Sequence, residues 1–325
     1  MIHKITFGTP VETYAITQTI PEVSNVKYFS VQETSEQITF TLPLAKDDIV
    51  YGLGEMMGGL NKRGNRYISF NTDTADHSDS NPSLYSSHNF IIIDGSLHFG
   101  LFLDTPARIL WEIDCENSGI IRIVCETKDL KVYQIENDTS YAITKELLAA
   151  IGRSYIPPLW AFGYGQSRFG YKCEADFLEV ADRYQKAGIP LDYICMDIDY
   201  MDRYIDFTVH PQRFPDLKAF VDTMKARGIR LVPIVDAGIK VEPGNETYES
   251  GIRGGYFCRN KEGGLFRACV WPGMTHFPDF LNPKAREWFG GQYKFYTDRG
   301  IEGFWNDMNE PAIFYSEYTK GNGKL

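Results

Sequence analysis

The stretch Gly228-Ile-Arg-Leu-Val-Pro-Ile-Val-Asp236 shows a pattern that occurs three times in the second half of the sequence. In each copy a helix-length apolar period ends at a glycine, an isoleucine follows, and a short apolar run then ends at an aspartate. The other copies run from Gly188 to Asp197 and from Gly300 to Asp307. Glycine commonly follows a helix, and short apolar runs between helices are typical of buried parallel strands. The repeat therefore predicts helix–strand units that build a parallel sheet.

The aspartates that close the three copies are the first candidates for a functional site. Asp197, Asp236 and Asp307 each stand at the predicted carboxyl end of a strand. Neighbouring parallel strands end on the same side of a sheet, about 4.8 Å apart, so we expect the three carboxyl groups to converge on one rim. Ligands bind at that rim in barrels and in open α/β sheets alike.

The first half of the sequence has a different period. Up to about Leu148 apolar and polar residues alternate, as at Ile38, Phe40 and Leu42, and this predicts short strands with one buried face. Many short strands separated by turns are typical of a β-sandwich. Residues 71–83 are rich in Asp and Asn and too long for a hairpin turn, which predicts a projecting loop with a possible function.

These patterns divide the sequence into two predicted domains, a β-sandwich over residues 1–150 and an α/β region over residues 151–325. With the segment from Trp160 to Tyr164 as its first strand, the second domain has four predicted strands and three helices. A complete (β/α)8 barrel takes about 250 residues. We therefore expect this region to stop halfway around such a barrel.

Composition excludes several classes of function. Asp and Glu (43) outnumber Lys and Arg (33) with no basic cluster, which argues against binding to nucleic acid or to an anionic membrane. No apolar run approaches the ~20 residues of a membrane helix, and the first residues lack the apolar core of a signal peptide, so we expect a cytoplasmic protein. The six cysteines form no C-x-x-C pair, which indicates reduced thiols, with no metal site and no cofactor.

Three acids on one rim, with no His or Cys partners, suit either a divalent metal or the cleavage of a glycosidic bond. Four aromatic residues lie on or near the same predicted strand ends: Phe169, Trp271, Phe277 and Trp305. Aromatic faces beside carboxylates suit a sugar ring, which is polar at its rim and apolar on its faces, better than a bare cation. We therefore favour a carbohydrate substrate.

The segment Gly303-Phe-Trp-Asn-Asp-Met-Asn-Glu-Pro311 resembles the nucleophile signature of glycoside hydrolase family 31, the retaining α-glucosidases and their relatives. Further motifs follow the family's order: Tyr51–Glu55, Gln166–Arg168, Met196–Asp202, Phe207–Thr208, Val270–Gly273 and Phe277–Asp279. The resemblance implies a fold that is α/β plus all-β. It consists of an amino-terminal antiparallel β-sandwich followed by the first half, four strands, of a (β/α)8 TIM barrel.

The resemblance also implies roles for single residues. Asp307 corresponds to the nucleophile that forms a covalent glycosyl-enzyme. Asp197 corresponds to an acid that binds sugar hydroxyls in the pocket for the non-reducing end, and Asp236, the third strand-end acid, is expected to bind substrate beside it. Asp73, in the polar loop, corresponds to a residue that closes over the neighbouring sugar, and Phe169 is expected to contact the leaving-group sugar. The walls of the pocket correspond to Ile198, Ile234, Trp271, Trp305 and Met308.

The implied activity is retaining hydrolysis of terminal, non-reducing α-glucosyl residues of oligosaccharides. Family α-xylosidases carry bulky aromatic residues just after the acid that corresponds to Asp197, whereas Ile198 leaves space for the C6 hydroxymethyl group of glucose. A related family activity, such as an α-xylosidase, a transglycosylase or a lyase, stays open.

The second alternative is a truncated, non-catalytic sugar-binding fragment. The general acid of the family lies beyond the fourth barrel strand, and we expect it to be absent from these 325 residues. Two strand edges would then be unpaired, and we expect the missing carboxy-terminal half of the barrel or a second copy of the chain to cover them.

Overall fold

The structure, a computed structural model, describes residues 1–24, 27–74 and 76–316. It divides between Tyr155 and Ile156 into two compact units. Each unit has a hydrophobic core of its own. Within the described residues, no helix is both long enough and apolar enough to cross a membrane.

The first unit is a sandwich of two five-stranded antiparallel sheets. Its strands are β1 (Ile2–Phe7), β2 (Ser30–Glu33), β3 (Ile38–Pro43), β4 (Ile49–Gly54), β5 (Asn65–Ser69), β6 (Ser87–Asp94), β7 (His98–Asp104), β8 (Ile109–Ile113), β9 (Ile120–Cys125) and β10 (Leu130–Glu136). One sheet has the order β1-β10-β7-β6-β4, and the other has the order β2-β3-β9-β8-β5. The predicted β-sandwich is confirmed.

Alternation along the strands explains how the sandwich closes. In β3 the side chains of Ile38, Phe40 and Leu42 are fully buried, while those between them are partly exposed. Side chains on one face of each strand therefore fill the space between the sheets. Trp111 is fully buried there, and its indole N–H donates to Ser69 Oγ at 2.8 Å, which satisfies its one polar group.

The predicted alternation is wrong at the end of this unit, where Ser140–Ile151 forms helix α1. The helix begins at Thr139, whose side chain accepts a hydrogen bond from the Ala142 N–H. Ile143 is buried with Ile92 and Ile135 of the sheet that carries β1. The threonine cap, and the four-residue spacing of Ile143 and Leu147 on one helix face, are the local signals that the alternation analysis missed.

The second unit contains a four-stranded parallel sheet with helices between its strands. In chain order its elements are β11 (Gly165–Gln166), α2 (Glu174–Ala187), β12 (Tyr193–Met196), α3 (Leu217–Ala226), β13 (Arg230–Asp236), β14 (Ile239–Lys240), α4 (Glu246–Gly254), β15 (Ala268–Val270), β16 (Gly273–His276), α5 (Pro283–Gln292), α6 (Lys294–Thr297), β17 (Trp305–Asp307) and β18 (Tyr315–Ser316). The parallel order is β11-β12-β13-β17. The helix–glycine–strand repeat is confirmed, and Gly188 ends α2 at a φ of 69°.

The predicted first strand, from Trp160 to Tyr164, is wrong. Leu159–Phe162 forms a 3-10 turn directly after Pro158, and strand pairing begins only at Gly165. A side chain at residue 165 would collide with the Tyr193 ring, because an added Cβ would lie 2.1 Å from its Cζ atom. The strand therefore begins at the glycine, where the backbone can approach the aromatic ring of β12.

Sequence analysis also missed a second sheet, three strands of which lie between β13 and β17 in the chain and the fourth of which, β18, follows β17. Its four strands are antiparallel in the order β14-β16-β15-β18, and Trp271 lies in the turn between β15 and β16. These strands are two to four residues long, too short for an alternation pattern to reveal them. We call them the inserted sheet.

We predict that Gly100→Ala destabilises the sandwich. Gly100 lies on β7 beneath α1, and an added Cβ would be 2.5 Å from Ile143 Cγ2. We expect a loss of about 1–3 kcal/mol in the free energy of unfolding. Trp111 is the sandwich's single tryptophan, so fluorine NMR of 5-fluorotryptophan-labelled protein in urea can follow this unit separately.

The matched control is Gly59→Ala, since an added Cβ there meets nothing closer than 3.9 Å. Equal urea midpoints for the Gly100 and Gly59 variants would show that α1 does not press on β7.

Candidate active site

The register of β13 and β17 places two acids side by side. Asp236 pairs with Asp307, and Ile234 pairs with Trp305 two residues earlier. On the other side of β13, Met196 of β12 pairs with Pro233, and Asp197 follows directly. The structure therefore brings the three predicted acids to the carboxyl ends of three neighbouring strands.

Alternation along β17 fixes the face that each side chain occupies. Asn306 lies between Trp305 and Asp307, and its Oδ1 accepts a hydrogen bond from Tyr293 Oη at 2.5 Å. Tyr293 follows α5, so Asn306 faces the helical side of the sheet. Trp305 and Asp307 therefore face the opposite side. Ile234 and Asp236, their register partners, share that side.

Burial and mutual repulsion control the ionisation of these acids. Burial raises the pKa of Asp236 to about 7, and the negative charges of Asp307 and Asp197 act in the same direction. Burial also raises the pKa of Asp197, as do the charges of Asp307 and Asp199, against a hydrogen bond from the Ile198 N–H. Like charges at short distance in a dry site favour the protonated form of one of them.

The carboxyl group of Asp236 has unused hydrogen-bonding capacity. The residue is 3% exposed, and its Oδ1 has no hydrogen-bond partner among the residues that the structure describes. A buried carboxyl oxygen without a partner is costly unless a ligand supplies one. The hydroxyl group of a sugar would supply a suitable donor.

Two predicted wall residues are buried close to the acids in sequence, since Ile198 follows Asp197 directly and Ile234 precedes Asp236 by two positions. Ile198 begins the 3-10 turn Ile198–Tyr200 after Asp197, and Ile234 lies inside β13. Tyr200, in the same turn, donates from its hydroxyl to the Ile234 carbonyl oxygen at 2.7 Å. The turn after β12 is therefore tied to β13 close to the acids.

Of the other wall residues, Met308 and Trp271 lie at the inserted sheet, whereas Trp305 packs against the core of the second unit. Met308 is buried with Val270 and Phe277, in a backbone conformation with a φ of 61°. Trp271 is 46% exposed at the hairpin turn, and its ring meets Phe314 edge-on at 5.0 Å between centroids. The inserted sheet thus supplies an exposed aromatic ring on the connection between the two acid-bearing strands.

Phe169 and Asp73 are the two remaining predicted site residues. Phe169 is in the turn that follows β11 and is 60% exposed, available for a ligand. Asp73 belongs to the first unit, in the loop between β5 and β6, and its side chain is exposed. The role of each stays a prediction from the family resemblance.

Sequence analysis missed one acid, Asp206. Its side chain is 3% exposed, and its Oδ1 accepts a hydrogen bond from the Asp236 N–H at 3.0 Å. The residue precedes the matched pair Phe207–Thr208, which was the only local signal. Within the described ranges, no group of three or more His, Cys, Asp or Glu side chains has an arrangement that could hold a metal ion.

Comparison with known proteins identifies the family. Residues 154–324 match the Glycosyl hydrolases family 31 TIM-barrel domain. The chain belongs to glycosyl hydrolase family 31. Residues 11–112 match the family 31 N-terminal galactose mutarotase-like domain, in agreement with the sandwich. The recognition of this family from its motifs is confirmed.

Several family 31 members resemble the chain over most of its length. Alpha-glucosidase 2 of Bacillus thermoamyloliquefaciens is 41% identical over 275 residues, which are 84% of this chain and 35% of that protein. The alpha-glucosidase of Saccharolobus solfataricus is 31% identical, over 96% of this chain and 46% of that protein. Alpha-xylosidase 1 of Arabidopsis thaliana is 33% identical, over 86% of this chain and 31% of that protein. The chain thus spans a third to a half of these family 31 relatives.

A solved family 31 structure has the same fold. A dextranase of Flavobacterium johnsoniae, complexed with glucose, superposes with a TM-score of 0.78 at 25% identity. The matched region covers 88% of this chain and 35% of that one.

We predict that Asp236 makes the family 31 barrel unit less stable as pH rises. Its carboxyl ionises near pH 3.9 when unfolded but near 7 when folded, so the folded state holds the extra proton between these values. The free energy of unfolding should therefore fall across this range, by up to about 4 kcal/mol from this group. Asp236→Asn should remove this contribution, which urea unfolding at pH 4, 6 and 8 would measure.

Asp222→Asn is the control, because Asp222 is an exposed acid paired with Lys218 on α3. If the wild type and Asp236→Asn lose stability in parallel between pH 4 and 8, Asp236 does not hold a proton in the folded state.

Proposed function

We propose that the protein acts as a retaining α-glucosidase that removes terminal α-glucosyl residues from the non-reducing ends of oligosaccharides. The observation that carries the proposal is the β13–β17 register, which sets Asp307 beside the buried acid Asp236. Membership of family 31 and two relatives named as alpha-glucosidases support it.

In this proposal a carboxylate oxygen of Asp307 attacks the anomeric carbon as the bond to the leaving oxygen breaks. The leaving oxygen takes a proton from a general acid, which the family resemblance places outside these 325 residues. Water then attacks the anomeric carbon and gives a proton to the deprotonated general acid while the bond to Asp307 breaks, which releases glucose with retained configuration.

Asp197 and Asp236 bind the sugar in this proposal. With a pKa of about 7, Asp236 can donate as well as accept a hydrogen bond at neutral pH. Partial protonation of Asp236 also limits its repulsion of the neighbouring acids Asp307 and Asp197.

The side chain at position 198 favours glucose over xylose as the terminal sugar of the substrate. The aliphatic side chain of Ile198 is buried in the turn after Asp197, which leaves the space of the C6 hydroxymethyl group free of an aromatic ring. An α-xylosidase is the second candidate, because one relative of similar identity has that name. Hydrolysis of aryl α-glucosides compared with aryl α-xylosides tests the choice, and failure to hydrolyse either would favour a sugar-binding role.

We further infer that the edges of the parallel sheet at β11 and β17 are covered by additional barrel strands or by a second copy of the chain. A cytoplasmic location remains a prediction, and the six free cysteines support it.

We predict that a 5-fluoro-α-glucosyl fluoride labels Asp307. Fluoride leaves without protonation, so the first step depends on the nucleophile and sugar binding and not on the general acid. Peptide mapping after proteolysis should place the added sugar on the peptide that contains Asp307. Asp307→Asn should stay unlabelled, and a label on Asp197 or Asp236 would contradict the assignment.

We also predict that Phe169→Trp and Phe169→Tyr change linkage preference. An exposed side chain in the turn after β11 would meet the leaving-group sugar more than the terminal sugar. The ratio of α-1,4 to α-1,6 cleavage should change by roughly 3-fold or more, with little change in the inhibition constant of a monosaccharide inhibitor. Equal changes in both quantities would place Phe169 in the pocket of the terminal sugar.

A further inference from the structure

A buried acid, Asp206, binds the backbone at the carboxyl end of β13. Asp206 lies in the loop between the 3-10 turn after β12 and helix α3, and it is 3% exposed. Its Oδ1 accepts the hydrogen bond of the Asp236 N–H at 3.0 Å. The backbone of this strand-end acid is therefore bound by a side chain that lies 30 residues earlier in the sequence.

A chain of buried hydrogen bonds reinforces the same loop. The Phe207 N–H donates to Tyr296 Oη at 3.1 Å, and the hydroxyl groups of Tyr296 and Tyr200 are 2.6 Å apart. Tyr200 gives its one proton to the Ile234 carbonyl oxygen, so Tyr296 must be the donor in the tyrosine pair. The loop around Asp206 is thus joined through helix α6 to the same strand that carries Asp236.

The side chain of Asp236 has less support than its backbone. Its Oδ1 has no partner in the described part of the chain, although the residue is almost fully buried. Its orientation beside Asp307 therefore depends on the position of the backbone, and Asp206 holds that backbone.

We propose that Asp206 is a positioning residue, which fixes the Asp236 carboxyl group beside Asp307 by binding the Asp236 N–H. The inference rests on the proposed function, because it assigns Asp236 to sugar binding. Asp206 itself does not touch the substrate in this proposal. Its removal should let the end of β13 relax, so that the Asp236 carboxyl meets the sugar hydroxyl in the wrong place.

Asparagine is the informative substitution at this position. Burial, followed by the nearby charge of Asp236, raises the pKa of Asp206 well above its usual range. Asparagine keeps the size of the side chain and a carbonyl acceptor for the Asp236 N–H. Alanine removes the acceptor and leaves that N–H unpaired.

The first experiment measures kcat and KM for hydrolysis of an aryl α-glucoside at pH 6, in protein that has the complete barrel and therefore the general acid. We expect Asp206→Asn to keep kcat/KM within about 3-fold of wild type and Asp206→Ala to lose about 10-fold to 100-fold. Because Asp206 acts through Asp236, the double variant Asp206→Ala/Asp236→Ala should be no less active than Asp236→Ala alone, within about 2-fold.

Asp216→Ala controls for a general loss of stability. The Asp216 side chain accepts from the Ala219 N–H at the start of α3, so its removal weakens a helix and keeps the hydrogen bond from the Asp236 N–H to Asp206. Its kcat/KM should match that of the wild type. Losses in the double variant that are the product of the two single losses would overturn the inference, as would equal damage from Asp206→Asn and Asp206→Ala.

The second experiment does not depend on activity. Amide hydrogen exchange at Asp236 should be at least about 10-fold faster in Asp206→Ala than in Asp206→Asn, with exchange at Leu231 on the same strand unchanged. Equal exchange at Asp236 in both variants would overturn the inference. If the wild type is inactive even with the complete barrel, the proposed function is contradicted, and the exchange comparison then decides the role of Asp206 by itself.

Discussion

The parallel register of β13 and β17 is the constraint on which the site depends. It sets the buried Asp236 directly opposite the half-buried Asp307 and thereby places two carboxyl groups side by side. Burial, followed by the negative charges of Asp307 and Asp197, raises the pKa of Asp236 to about 7, so repulsion in the pair accounts for part of this rise. Retaining glycoside hydrolysis uses an ionised nucleophile beside groups that bind the sugar. The surrounding structure must therefore hold both strands against this repulsion.

The helical side of the sheet provides that support. Tyr293 binds Asn306 of β17, and Tyr296 reaches β13 through Tyr200. Phe207 meets the rings of Phe289, Tyr293 and Tyr296, with centroids 5.6–5.9 Å apart. An aromatic layer of this kind excludes water, and hydrogen bonds inside it are stronger than those at the surface. Both acid-bearing strands are thus supported by the same pair of helices, α5 and α6.

The three strand-end acids and the exposed ring of Trp271 lie on different sheets. The acids lie at the ends of parallel strands, where a rigid sheet fixes their positions. Trp271 lies on the inserted sheet, and β18 returns after Asp307 to pair with β15. The hairpin turn that carries Trp271 lies outside the parallel sheet, so its sequence can vary without disturbing the register of the acids.

The sequence by itself determined the two folds, the family and the three strand-end acids. These features depend on local periods, glycine positions and short motifs, which are readable without knowledge of distant contacts. Only the tertiary structure decided the pairing of Asp236 with Asp307, the buried support from Asp206 and the position of Trp271 on an additional sheet. Helix α1 and the late start of β11 at Gly165 were decided in the same way. The physical reason is that register, burial and hydrogen bonding between segments depend on residues far apart in the chain, and local periodicity carries no information about them.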